Sequence, residues 1–115
     1  MTEARNLRAE GAAAEDAAAD YLLHQGFTIV TRRWKARRGE LDLIALEGDL
    51  LVFVEVKFRL APSYRPEDAL GTEKRSALYR AGQAYLHEIG EPDRACRFDL
   101  IAMDAEGIRH YREIM

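Results

Sequence analysis

The run from Gly39 to Arg59, GELDLIALEGDLLVFVEVKFR, restricts the fold more than any other stretch of the chain. Apolar and β-branched residues recur on both sides of Gly48-Asp49, which predicts strands over Leu41 to Leu46 and Leu50 to Phe58 joined by a two-residue loop. Glycine at the first central position suits a type II′ turn. Such a turn sets Glu47 against Leu50, Ile44 against Phe53, Asp42 against Glu55 and Glu40 against Lys57. One face of the ribbon then carries Leu41, Leu43 and Ala45 against Val56, Val54 and Val52, an apolar surface that must be covered. The other face is apolar near the turn and ionic at its far end.

The cover is supplied on either side in sequence. Leu7 to Gln25 is alanine-rich with apolar residues at helical spacing and Gly26 behind it, which predicts a helix. Phe27 to Trp34 reads as a strand, followed by a basic turn from Lys35 to Arg38. Leu60 to Arg65 is a loop, and Pro66 opens a short helical turn. Thr72 is the expected N-cap of a second helix, whose row Ala77, Leu78, Ala81, Ala84, Tyr85 and Ile89 ends at Gly90 and Pro92. Arg97 to Met103 and Ile108 to Ile114 form a closing hairpin. DLIA occurs twice, at Asp42 to Ala45 and Asp99 to Ala102, and suggests two strands of similar burial. The order is α-β-β-β-α-β-β, an α/β fold with a mixed sheet.

At 115 residues the chain fits one domain, residues 1–115, with a ragged, disordered end over Met1 to Glu10. Its composition, 48% apolar and 32% charged, is that of a folded soluble chain. Cys96 is alone, which suits the reducing cytoplasm and excludes an intramolecular disulfide. No signal peptide or membrane span is indicated. The net charge of −3 argues against gripping nucleic acid by charge alone. Charge is sorted along the chain, however: Phe27 to Arg38 carries five bases and no acid, whereas Glu88 to Met115 carries seven acids and four bases.

Asp42 and Glu55, placed ~5 Å apart as a cross-strand pair, repel unless something compensates. A cation would do so, and carboxylates without cysteine or paired histidine suit Mg²⁺ or Mn²⁺ better than zinc. His24, His87 and His110 are scattered and carry no assigned role. Ordinary ion pairing is the alternative: Asp42 with Lys57 or a strand end, Glu55 with any base, Lys57 with Glu40. Glu15 shares a helical stripe with Gly11, Ala18 and Leu22, so a third carboxylate either faces the sheet or sits at its boundary with its head in solvent.

Asp42, then Glu55-Val56-Lys57 after a hairpin, with a glutamate in the preceding helix, resembles the PD-(D/E)XK nuclease superfamily and its archaeal Holliday-junction resolvase branch. From Gly11-x-x-x-Glu15 through GELDLIA, FVEVKFR and RFDLIA the chain resembles the YraN-like family of small, endonuclease-like bacterial proteins. The resemblance implies a restriction-endonuclease-like fold and a divalent metal on Asp42, Glu55 and the Val56 carbonyl. Glu15 would bind a second metal or a metal-bound water, and Lys57 would orient or deprotonate the attacking water or neutralise the phosphorane-like charge. Leu41 stands where the name-giving proline would be. Junction-cleaving relatives work as homodimers, and a two-fold partner would suit branched DNA.

The basic residues Arg32, Arg33, Lys35, Arg37 and Arg38 precede the strand that bears Asp42 and could hold phosphates near the metal, with help from Arg59 and Lys74. A solvated loop is the alternative. Trp34 either stacks on a base or anchors a strand. Lys74 shares a stripe with Leu78 and is expected to face the sheet. Three functions follow: a metal-dependent endonuclease acting on DNA, a nucleic-acid-binding module that keeps the fold without turnover, or an assembly or interaction protein in which the carboxylates only hold structural ion pairs.

Overall fold

The computed structural model describes residues 7–37, 39–59 and 65–115. The expected order is present: α1 (Leu7–His24), β1 (Thr28–Ala36), β2 (Gly39–Glu47), β3 (Leu50–Phe58), a single 3₁₀ turn (Pro66–Ala69), α2 (Thr72–Glu88), β4 (Cys96–Asp104) and β5 (Gly107–Tyr111). The five strands lie in chain order in one open mixed sheet. Three of its pairings are antiparallel and β3–β4 is parallel, so α2 is the crossover that returns the chain to the same end. Among the described residues no helix is long and apolar enough to cross a membrane. The loop expected from Leu60, apart from Arg65, and the first six residues of the ragged end expected over Met1 to Glu10 lie outside the described residues; the last four of that end belong instead to the first turn of α1.

Each helix covers one face. Ala14, Ala18, Ala19 and Leu22 of α1 pack with Leu43, Ala45, Val52, Val54, Ile101 and Met103, while Leu78, Ala81, Tyr85 and Leu86 of α2 pack with Ile44, Leu51, Phe53 and Phe98. Alanine lets α1 lie close to the sheet. On the other face Gly82 does the same: a Cβ there would stand 2.6 Å from Phe98 Cζ. Both helices end as their glycines predict. Gly26 (φ 92°) and Gly90 (φ 74°) take the left-handed conformation, and Phe27 N–H and Glu91 N–H reach back to the Leu22 and Leu86 carbonyls at 2.9 Å.

The hairpin register is as its turn predicts. Leu43 pairs Val54, Ile44 pairs Phe53 and Glu47 pairs Leu50, with Gly48 at φ 60°. The ladder stops there, so Asp42–Glu55 and Glu40–Lys57 are not ladder pairs. Leu41 also departs from expectation: it joins Ile44 and Phe53 on the α2 side, not Leu43 and Ala45 on the α1 side. Alternation is therefore interrupted at Asp42. Opposite it in β1, Arg33 has φ 53° and is skipped by a ladder that pairs Arg32 with Leu43 and Trp34 with Leu41.

Other boundaries shift for local reasons. Strand β1 continues through Lys35 and Ala36, which pair with Glu40 and Gly39, so of the expected basic turn only Arg37 stands outside a strand among the described residues. Thr72 is the first helical residue; Gly71 is the N-cap, its carbonyl accepting from Arg75 N–H at 3.0 Å. In α2, Gly82 and Leu86 are buried where Ile89 is 37% exposed. Strand β5 ends at Tyr111 because Glu113 turns to φ 53°, its N–H donating to Asp99 Oδ1 and that of Ile114 to the Phe98 carbonyl.

Candidate active site

Where the β2–β3 ladder opens, the released groups find side-chain partners. Val56 N–H, beyond the last β2–β3 ladder pair, donates to Asp42 Oδ2 at 2.8 Å. Asp42 reaches it because the break in alternation at this residue turns its side chain toward the mouth of the hairpin. The two strands line a cleft of about 340 Å³ together with α1 and α2, its walls including Glu15, Asp42, Glu55, Lys57, Arg59 and Lys74. The strands supply three acids, Glu40, Asp42 and Glu55, and the amine of Lys57. Helix α1 adds Glu10 and Glu15, and α2 adds Lys74.

Glu55 is 3% exposed, and its Oε1 is ion-paired with both Lys57 Nζ (3.1 Å) and Lys74 Nζ (3.3 Å). Lys57 is therefore paired with Glu55, not with Glu40. Glu15, 18% exposed, faces the cleft and takes Arg33 Nε at 2.6 Å. Asp42 is different. Burial first, then Glu55 and to a smaller extent Glu15, raise its carboxyl to about 7, against the opposing Val56 N–H bond and Lys74. The site holds more negative charge than its cations answer.

The sign of the consequence is fixed. An unfolded Asp42 loses its proton near 3.8 and the folded one near 7, so between these values the folded state binds more protons. This group's contribution therefore weakens folding as pH rises from about 4 to about 7, by on the order of a few kcal/mol once ionisation is complete. Urea midpoints of wild type and Asp42→Asn measured at pH 5 and pH 8 should converge at the lower pH and separate at the higher. Equal midpoints at both would mean that Asp42 ionises without penalty.

The basic residues divide. Arg32 pairs with Asp16 at 2.8 Å, and Arg33 with Glu15 and, at 3.7 Å, Asp16, so a cluster free of acids in sequence meets them in space. Lys35 and Arg37 are exposed and, among the described residues, carry no ion pair. Lys35 and Arg33 line a second cleft that shares Gly11, Glu15, Glu40 and Asp42 with the first. Arg59 borders the first cleft and donates to the Phe58 carbonyl at 2.7 Å. Arg38 lies outside the described residues. Trp34 is an anchor: its ring meets Tyr85 edge-on at 5.4 Å and its Nε1–H donates to Glu88.

Sequence reasoning missed the buried charged cluster around Asp99. Asp99, fully buried on the α1 side of β4, accepts from Arg97 Nε (2.8 Å) and Nη2 (3.0 Å) and from Glu113 N–H, with His110 Nε2 at 2.9 Å. Arg97 and Arg112 both reach Glu47. Burial would raise the Asp99 carboxyl, but the bonds from His110 and Arg97 outweigh it and hold it below the ordinary range. The second DLIA was the visible signal, since it put an acid in a strand that the first copy already marked as buried.

Comparison with known proteins comes to one family. The model of the uncharacterised protein family UPF0102 matches residues 14–103, a span that includes Glu15, Arg33, Asp42, Glu55, Lys57 and Lys74. A UPF0102 protein of Nitratidesulfovibrio vulgaris is 44% identical over 108 residues, covering 93% of this chain and 79% of its own. One from Rhodococcus jostii is 45% identical over 101 residues (87% and 85%), and one from Symbiobacterium thermophilum 41% over 98 (84% and 83%).

Proposed function

The chain belongs to the uncharacterised protein family UPF0102, and from the groups gathered at the mouth of its central hairpin we propose that it is a metal-dependent endonuclease that hydrolyses phosphodiester bonds in DNA. One observation carries this reading: Asp42, Glu55 and Lys57 share one cleft with Glu15, and the Asp42 carboxyl there is raised to about 7 by burial and by Glu55. Structural ion pairs lower a carboxyl. A carboxyl raised by burial and by a second acid in the same cleft is the pattern of a functional group.

The donors fit a hard divalent ion by chemistry, being oxygens with surplus negative charge and no thiolate nearby. Among the described residues no three acidic, histidine or cysteine side chains stand close enough to form a ready coordination shell, because Glu15 and Glu55 are drawn to Arg33, Lys57 and Lys74. Asp42, Glu55 and the Val56 carbonyl would hold Mg²⁺ or Mn²⁺, with Glu15 as an outer ligand. When bound, the ion supplies an activated water and positive charge at the phosphate. Lys57, fixed by Glu55, orients that water or neutralises charge developing on the phosphate. Lys35 and Arg37 are the exposed cations that would hold the DNA backbone beside the cleft.

The carboxylates' existing cationic partners favour a second reading, a nucleic-acid-binding module without turnover. A ligand bound only by the folded state must raise the melting temperature, by the equivalent of about 2.7 kcal/mol at a hundred times its dissociation constant. Mn²⁺ is expected to raise it, and cleavage is expected on at least one of single-stranded, duplex and branched DNA. Stabilisation without cleavage selects the binding module. An unshifted melting curve in both Mg²⁺ and Mn²⁺ removes the metal site.

A further inference from the structure

Two of the cations at the site reach their carboxylates against local preference. Lys74 lies in the first turn of α2, where the helix dipole disfavours positive charge, yet its Nζ is 3.3 Å from Glu55 Oε1. Glu55 has no need of it for neutrality, because Lys57, two residues on in the same strand, already contacts the same oxygen at 3.1 Å. Lys57 is 18% exposed and confined; Lys74 is 34% exposed and has solvent beside it. Arg33 is the second case. Its φ of 53° is a left-handed conformation costing about 1–2 kcal/mol in a residue with a Cβ, and it sends the guanidinium to Glu15 Oε1 (2.6 Å) with a weaker bond to the Ala12 carbonyl (3.4 Å). This side chain is 47% exposed. Each carboxylate that would bind an ion from the helix or from β3 thus carries a cation that can leave.

Resting on the nuclease reading above, we infer that Arg33 and Lys74 are exchangeable counterions: a divalent metal ion takes Glu15 and Glu55 from them, and the released guanidinium and ammonium turn to the phosphates of the bound nucleic acid. Metal and nucleic acid then bind cooperatively, because each occupies what the other sets free. The side chains are long enough to move between carboxylate and phosphate within the two clefts they line, which share Glu15 and Asp42.

The test uses Arg33→Gln and Lys74→Gln with two probes. Mn²⁺ affinity is read from the electron paramagnetic resonance signal of the free ion, and affinity for a fluorescent 20-base-pair duplex from anisotropy, once with Ca²⁺ and once with EDTA. Each variant should bind Mn²⁺ roughly five- to tenfold more tightly than wild type and the duplex more weakly by a similar factor, at the low end of ordinary coupling between sites. The loss on duplex should appear with Ca²⁺ and be absent in EDTA. Weaker or unchanged Mn²⁺ binding in the variants, or equal duplex losses in both buffers, overturns the exchange and leaves the nuclease reading standing. Failure of all three proteins, wild type included, to take up Mn²⁺ overturns both. Should Arg33→Gln not melt cooperatively, Arg33→Gly, at ease with that backbone angle, replaces it, and Lys74→Gln tests the same exchange from α2.

Discussion

Asp42→Asn is expected to lower metal-dependent DNA cleavage by about 10²–10³-fold, the usual loss on removing one charge-stabilising group, while leaving the protein at least as stable as wild type at pH 8. The opposite signs follow from the surroundings. Asparagine keeps an oxygen to accept the Val56 N–H bond, so the hairpin mouth retains its shape. It removes a charge that burial and Glu55 both oppose. Glu55→Gln should behave otherwise, since its charge answers Lys57 and Lys74 and its loss strands two ammonium groups beside a buried amide. Initial rates and urea midpoints in one buffer decide. A fall in the Asp42→Asn midpoint would identify Asp42 as part of a structural pair, and an unaltered rate would assign the cleavage to a contaminant.

The second large effect lies away from the cleft. Replacing Asp99 by alanine is expected to cost about 3–5 kcal/mol, the range for breaking a buried ion pair. Arg97, 12% exposed, would keep only Glu47, and His110 and Glu113 N–H would each lose an acceptor. Those bonds join β4 to β5 and to the tail beyond it, so the damage would extend to the covering of the α1 face, where the His110 ring meets Tyr21 and Phe27. Urea unfolding at constant slope measures it. A loss under about 1 kcal/mol would mean that the neighbours re-pair or hydrate, as at an exposed bridge.

The arrangement of elements was legible because each carries a strong local signal: a glycine after each helix, glycine at the hairpin turn, and β-branched runs between. The contact of Lys74 with Glu55 was half legible, since the stripe it shares with Leu78 pointed it to the sheet. What escaped were features set by tertiary context. No residue type announces that Arg33 takes a left-handed backbone angle, nor that alternation breaks at Asp42 and turns Leu41 to the other face. Uniform period-2 reasoning assumes that such breaks do not occur. The pairing of Arg32 and Arg33 with acids of α1 was hidden likewise, because charge counted along the chain is blind to a helix lying alongside.

The interruption at Arg33 also bears on what the border of the sheet offers to another extended chain. Strand β1 is at one border of the open sheet, and Val30 on it is 43% exposed. An even, apolar border strand offers its unpaired amides to any other chain in extended form, the first step toward stacked aggregates. A left-handed residue in mid-strand breaks that row of amides, and the arginines beside it make stacking like on like unfavourable. The bend that sends a guanidinium to Glu15 thus also keeps the border from serving as a template.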